Sequence, residues 1–228
     1  MIFYIYSYIA YIVFEGVFRK KLFKRACQSQ HLQESPWKTG KEYWFFLSPG
    51  YWFARYYKNK IKKLCLESEA NLRKSYLKSM NIWNLWITIA ISITFLVLVH
   101  YGVAFIQLLS GFIICRFFSR MLEVSYAFIS DVFSCQNRSN LTKNERIRLA
   151  SSSYVELFFL SAPVYLIFNL VCDSLTALTA SLSVGTLTNV GFIVQDGASI
   201  LVNIAFVQVL VTMSLVIFSL AMYLSRET

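Results

Sequence analysis

The chain has 228 residues, of which 57% are apolar and 15% are charged, and its mean hydropathy is +0.52. Ordinary soluble domains have about 45–50% apolar and about 25% charged residues. The composition therefore excludes a disordered chain, a disulfide scaffold and an ordinary soluble enzyme, and it favours an integral membrane protein. In such a protein, the positions of the basic residues behind the formal net charge of +10 indicate which segments lie on the cytoplasmic side of the membrane. They are weaker evidence for nucleic-acid binding.

The N-terminus is an apolar segment, residues 2–17, that a basic run follows. A secretory signal has the opposite order, with basic residues before the apolar core, so we expect a retained anchor. Because Glu15 leaves it barely long enough to cross a bilayer, two placements stay open. The segment either spans the membrane with its N-terminus outside or lies in the interface.

Further along the chain, four apolar runs approach the roughly 20 residues that a spanning helix needs; they are residues 82–99, 103–118, 154–171 and 200–226. Residues 100–102 read as a short turn between the first two. The second run continues into an amphipathic stretch, so we predict one long helix. Arg116 and Arg120 are expected to snorkel to the membrane edge.

Acidic residues beside these spans have simple interpretations. Glu123 follows Arg120 by three positions, which predicts an ion pair on the helix surface. Thr142 and Glu145 have the spacing of a capping box and predict a helix start. We expect Glu156 at the cytoplasmic interface, near Arg146 or Arg148.

The basic residues indicate one orientation. Of the 22 Lys and Arg residues, fifteen lie in 19–78, six in 116–148 and one is Arg226, and none lies in 79–115 or 149–225. With the basic segments in the cytoplasm, every basic cluster falls on the inner side, as the positive-inside rule requires. The expected location is the plasma (inner) membrane.

Aromatic and basic residues alternate through residues 41–63. We interpret this stretch as a segment at headgroup level that aromatic anchors hold and anionic lipid attracts. A site for a partner protein is the alternative, and no nucleic-acid-binding motif accompanies the stretch.

One apolar region is interrupted by a segment rich in Ser, Thr and Gly, residues 174–199. The charge pattern makes it enter and leave on the outer face, so we predict a re-entrant hairpin inside protein or at a water-filled cavity. Asp173 or Ser174 can cap its helix and Gly185 can end it. The partly negative end of that helix would point into the membrane, which favours a cation.

Residues 186–192, Thr-Leu-Thr-Asn-Val-Gly-Phe, resemble the selectivity filter of potassium channels. The resemblance implies an outer helix at 154–171, a pore helix at 174–185 and an inner helix at about 200–225. It also implies a homotetramer that conducts a monovalent cation, K⁺. The filter residues would be Thr186, Thr188, Asn189, Val190, Gly191 and Phe192.

Three positions depart from that family. Asn189 stands where the family usually has Thr, Ile193 where it has a second Gly, and Val194 where it has Asp. A β-branched Ile at positive φ would be a backbone outlier. We therefore expect a shortened, weakly selective filter, or a non-conducting fold with the same ancestry.

The inner helix carries a polar stripe. Gln208, Thr212 and Ser219 fall on one helical face, which is typical of a wet cavity lining. We predict that these residues line the inner pore.

Together these features predict an all-α, polytopic membrane protein with about five transmembrane helices, a re-entrant pore helix and a filter-like loop. Three regions follow: an anchor and basic segment at 1–80, a helical membrane hairpin at 81–150, and a pore-like domain at 151–228. The five cysteines lack metal-ligand spacing. We expect no cofactor, no metal and no enzymatic activity. The alternatives are a membrane scaffold or membrane-perturbing effector, small-residue packing between helices and a small-solute transporter.

Overall fold

The computed structural model describes residues 2–26, 43–64, 69–102, 106–133, 141–188, 190–191 and 199–216. Of these residues, 91% are helical and none lies in a strand, so the all-α prediction is confirmed. The helices are α1 (Ile2–Ala26), α2 (Tyr43–Leu47), α3 (Pro49–Leu64), α4 (Glu69–His100), α5 (Ile106–Phe133), α6 (Lys143–Ile167), α7 (Ser174–Gly185) and α8 (Ser199–Met213).

Two of the described helical stretches, Asn71–His100 and Lys143–Ile167, are long and apolar enough to cross a membrane. The first contains the predicted span 82–99, and the second overlaps the predicted span 154–171. Large apolar side chains on the outside of α4 are exposed, with Trp86 62% and Ile93 47% accessible. Exposed apolar surface of this kind is typical of a lipid-facing helix and rare on soluble monomers.

Helices α1 and α5 pack side by side and run parallel, with contacts from the first turns of α1 to Arg19. Ser7 donates a hydrogen bond to the Leu108 carbonyl at 2.9 Å, and Tyr11 packs edge-on against Phe112. Close approach requires Gly111, because a Cβ there would lie 2.5 Å from the Ser7 hydroxyl oxygen. The two helices therefore run side by side over most of the length of α1.

Local signals set several helix ends as expected. Thr142 caps α6 and forms the complete capping box with Glu145. Helix α4 ends at His100, and Gly102 closes the turn with φ of +66° and a hydrogen bond to the Val99 carbonyl. Residues 106–133 form one long helix, as predicted.

The aromatic residues of α3 differ from the prediction. Trp52, Phe53, Tyr56 and Tyr57 are buried and pack with α1 and α4 in a core cluster. They are not anchors at the bilayer surface, because α3 lies against its neighbours rather than apart from them. In this region the exposed apolar side chains belong to α2, with Phe46 73% accessible.

A second and larger core cluster joins α4 to α8 through buried residues of each helix. Helix α7 packs on α6, and α8 packs on α7, α5 and α6. The short helix α7 is thus packed by one face against the chain's other helices.

Candidate functional site

Helix α7 is a half-length helix that runs back along α6. Its twelve residues give a length of about 18 Å, against about 30 Å for a hydrocarbon core. Ser174 at its start donates to the Leu96 carbonyl near the end of α4, at 2.9 Å. Further on, Ser181 donates to the Phe158 carbonyl in the middle of α6, at 2.7 Å. Helix α7 therefore begins level with the end of α6 and extends back only to about the middle of α6.

Both ends of α7 have defined caps. Asp173 accepts hydrogen bonds from the N–H groups of Leu175 and Thr176, each at 2.9 Å, so it is the N-cap. The hydrogen bond from the Thr176 hydroxyl, together with these backbone bonds, stabilises the ionised carboxylate and lowers the pKa of Asp173. The helix ends at Gly185, as predicted.

The filter-like segment leaves α7 through a left-handed residue. Leu187 has φ of +61°, and the Thr188 N–H bonds back to the Ser183 carbonyl at 3.0 Å. This pattern is a Schellman cap, whose left-handed position is usually Gly. The hydroxyl oxygens of Thr186 and Thr188 lie 2.9 Å apart on the exposed side of the turn.

Other filter-like residues are only partly described. Val190 is half-buried and Gly191 is exposed. Asn189 and Phe192 lie outside the described residues, as does Ser219 of the predicted pore lining.

The other two lining residues face the interior of the chain. Gln208 is 1% accessible, accepts from the Tyr165 hydroxyl and donates to the Ser181 carbonyl at 3.1 Å. Thr212 is 2% accessible. A pore shared between copies would leave its lining exposed in a single chain, so this placement corrects the prediction for both residues. Gln208 instead ties α8 to α6 and α7.

A closed ring of six buried charges lies among α1, α5 and α6. In order around the ring the residues are Glu15, Arg19, Glu123, Arg120, Glu156 and Arg116. We call this set the ionic ring. Each arginine lies between two glutamates, and the separations between neighbours run from 2.6 to 3.8 Å.

Alternating charges explain how the ionic ring can be buried. An isolated buried charge costs several kcal/mol, whereas here three positive and three negative groups neutralise one another. Arg19 bonds Glu123 through two nitrogens at 3.0 and 2.7 Å. Thr88 of α4 accepts from Arg116 at 3.0 Å and donates to Glu156 at 3.2 Å, so a fourth helix joins the network.

The start of α3 rests directly on this ring. Ser48 donates to the Ser119 carbonyl at 2.9 Å, and the Gly50 N–H donates to the Ser119 hydroxyl at 3.2 Å. A Cβ at Gly50 would lie 3.1 Å from a carboxylate oxygen of Glu123. A side chain at this position would require these neighbours to shift by a few tenths of an ångström.

The ionic ring corrects three predictions. Arg116 and Arg120 do not snorkel, because they are 0% and 4% accessible. Glu156 is fully buried against them rather than near Arg146 or Arg148 at an interface. The Arg120–Glu123 pair exists at 2.6 Å but is buried.

A signal for the ring is present in the sequence. Charges inside apolar helices are expected to pair with one another, and Glu15 and Glu156 both stand in apolar runs. The partner of each cannot be read from spacing, because the ring joins residues 101 and 36 positions apart.

No family model, curated protein or solved structure matches this chain. The arguments on function therefore rest on the chain itself. Within the described residues, no group of His, Cys, Asp and Glu could hold a metal ion.

Proposed function

We propose that the chain is a subunit of a cation channel, similar to a potassium channel, with a divergent and weakly selective filter. The observation that carries this proposal is α7, a capped half-length helix that packs by one face on the chain's other helices and has two threonine hydroxyls at its C-terminal end. The C-terminal end of a helix carries a partial negative charge, which favours a cation. Channels use carbonyl and hydroxyl oxygens to replace an ion's hydration shell.

Five membrane-spanning helices, α1, α4, α5, α6 and α8, belong to this proposal. The parallel packing of α1 on α5 supports a spanning α1 with its N-terminus outside. The basic segments are then cytoplasmic, and the location is the plasma (inner) membrane. Because one chain supplies one half-length helix, a central pore requires a ring of copies, and the resemblance to potassium channels implies four.

In such a ring, the exposed face of α8 is the pore lining that we propose. Asn203, Phe206, Leu210 and Met213 share this face and are exposed, with Leu210 65% accessible. The lining is mostly apolar. A narrow apolar constriction closes a pore by excluding water, so the proposed resting state is closed or weakly conducting.

Ion flux into liposomes containing the purified protein tests this function. Thr188→Ala removes a hydroxyl at the end of α7 and should reduce K⁺ flux, as should Gly191→Ala in the filter-like segment. Thr179→Ala is the matched control, because Thr179 is an exposed threonine of the same helix that bonds only to the helix backbone among described partners. It should conduct like the unmodified protein.

The presence of flux and its ion selectivity separate the possible outcomes. Equal K⁺ and Na⁺ flux would support the weakly selective filter, whereas strong K⁺ preference would contradict the role given to Ile193. No flux in any oligomeric state, with all three variants alike, would overturn the channel.

One observation favours a second candidate, a non-conducting membrane scaffold. The polar residues Gln208 and Thr212 are buried within one chain, and the exposed face of α8 is suited to packing against lipid or another helix. Subunit counting by cross-linking distinguishes the two candidates. A scaffold without a closed ring of copies would show no fourfold species.

A further inference from the structure

A cavity of about 390 Å³ opens between α3, α4, α5 and α6. Its size falls in the range of about 300–1,000 Å³ typical of small-molecule sites. We call it the basic pocket, because its walls include Arg55, Lys58, Arg73, Arg120 and Arg146. Glu123 is the one acidic residue among the described residues that line it.

The charge of the basic pocket is not cancelled by the ionic ring. Arg120 and Glu123 belong to both, and they pair with each other at 2.6 Å. Arg55 and Lys58 add positive charge to the pocket wall that the ionic ring does not balance. Arg55 and Lys58 form no ion pair with any described carboxylate. The Arg55 guanidinium contacts the Tyr51 hydroxyl instead, at 3.3 Å.

Burial and the surrounding arginines act on Lys58 in the same direction. Burial disfavours its charged form and, with repulsion from Arg73, Arg19 and Arg120, lowers the pKa of Lys58 to about 8 despite the attraction of Glu123. A bound anion would reverse this effect, because it would favour the charged ammonium.

Polar groups of the pocket can complete a binding site. Asn81 donates to the Leu149 carbonyl at 2.9 Å, while its own buried carbonyl oxygen has no partner among the described residues. Tyr51, Tyr126 and Ser153, which carry hydroxyl groups, also line the pocket. A ligand with an acidic group and a hydroxyl could use both the cations and the Asn81 oxygen.

We propose that the basic pocket binds a phosphate-bearing anion, either a phospholipid headgroup or a soluble phosphoester. Arginine and lysine together are the usual protein partners of phosphate oxygens. The pocket is lined by α4 residues up to Asn84, beside Trp83 and Trp86, which are exposed as interfacial tryptophans are. This site does not depend on ion conduction.

Binding to the full-length protein in neutral detergent micelles tests the proposal. The probes are short-chain phosphatidylglycerol, glycerol phosphate, inorganic phosphate and short-chain phosphatidylcholine. Binding of each probe is measured by the change in tyrosine and tryptophan fluorescence of the protein. We expect saturable binding of at least one of the anionic probes. The double variant Arg55→Gln with Lys58→Gln should weaken it about tenfold or more, because charge-assisted hydrogen bonds are lost.

A matched control removes the same charge elsewhere. Lys21→Gln with Lys24→Gln changes two exposed lysines of α1 and should change affinity by less than about twofold. Arg55→Lys with Lys58→Arg keeps both charges, is the more conservative change for folding, and should retain most of the binding.

The probes also identify the source of the phosphate. Binding of phosphatidylglycerol that glycerol phosphate does not displace would assign a lipid headgroup, and displacement would assign a soluble phosphoester. The proposal is overturned if no anionic probe saturates, if phosphatidylcholine binds equally well, or if the two charge-removing variants lose affinity to the same extent.

Discussion

The Arg120 guanidinium forms two parallel hydrogen bonds with the Glu156 carboxylate, from Nε to Oε1 at 2.8 Å and from Nη2 to Oε2 at 2.6 Å. The pair fixes α5 to α6 in the chain interior, in the bidentate geometry that gives strong and specific pairing. Because Glu156 also faces Arg116, its charge balances two arginines. This carboxylate is therefore central to the ionic ring.

Glu156→Gln should strongly destabilise the folded protein. The amide keeps the shape of the side chain but leaves three arginines of the ring with two glutamates, so one buried positive charge is uncompensated. Removing one partner of a buried pair typically costs about 3–5 kcal/mol. Thermal unfolding in detergent measures the loss. Glu145→Gln is the control on the same helix, because Glu145 pairs with Lys74 and Lys78 where water screens the charges. Similar losses in the two variants would contradict a special role for the ring.

Leu187→Gly should stabilise the protein. A residue with a Cβ at positive φ costs about 1–2 kcal/mol relative to Gly, so relief of this cost should raise the unfolding temperature measurably. The control is Leu175→Gly in the first turn of α7, where the Leu175 side chain is 74% accessible. This change should lower the unfolding temperature, because Gly costs about 1 kcal/mol in a helix. A lower unfolding temperature for both variants would show that the Leu187 side chain contributes more than its backbone costs.

Affinity of the basic pocket for phosphatidylglycerol should fall as the pH rises from about 7 to about 9, because Lys58, with a pKa lowered to about 8, loses its charge across this interval. The phosphodiester stays ionised throughout, so the change reports on the protein. Fluorescence titrations at several pH values measure it. Lys58→Arg should remove most of the dependence, since a guanidinium stays charged. An unchanged pH profile in that variant would exclude Lys58 from the site.

Leu210→Asn should increase cation flux if α8 lines the pore. A polar side chain in an apolar constriction favours water entry and lowers the barrier to ions. Liposome flux measures the change, and Val97→Asn is the control, because Val97 is an exposed apolar residue of α4 with 47% accessibility. Equal flux in the two variants would place α8 away from the conduction path.

Local signals predict much of the fold. Thr142 and Glu145 form the predicted capping box, Asp173 caps the half-length helix, and Gly185 ends it. These features depend on residues within a few positions of one another, where backbone hydrogen bonding and side-chain reach determine the outcome. The apolar runs likewise indicate helices before any packing is considered.

The sequence pattern is a weaker guide to which polar side chains are buried. Gln208 and Thr212 share a helical face, as expected, but that face packs against α6 and α7 instead of a cavity. Periodicity shows which residues share a face and not which neighbour covers it. The same limit applies to the aromatic residues of α3, which are buried in the chain rather than at a bilayer surface.

The amino-acid order by itself determined the all-helical class, the helix ends with strong caps, and the separation of basic from uncharged segments. Only the tertiary structure decided that Glu15, Glu123 and Glu156 meet Arg19, Arg116 and Arg120 in one neutral ring, and that four helices enclose a basic pocket. The physical reason is the distance along the chain over which each interaction acts. Caps and periodicity act over a few residues, whereas the pairing of buried charges depends on which helices pack together, and that choice involves the whole chain at once.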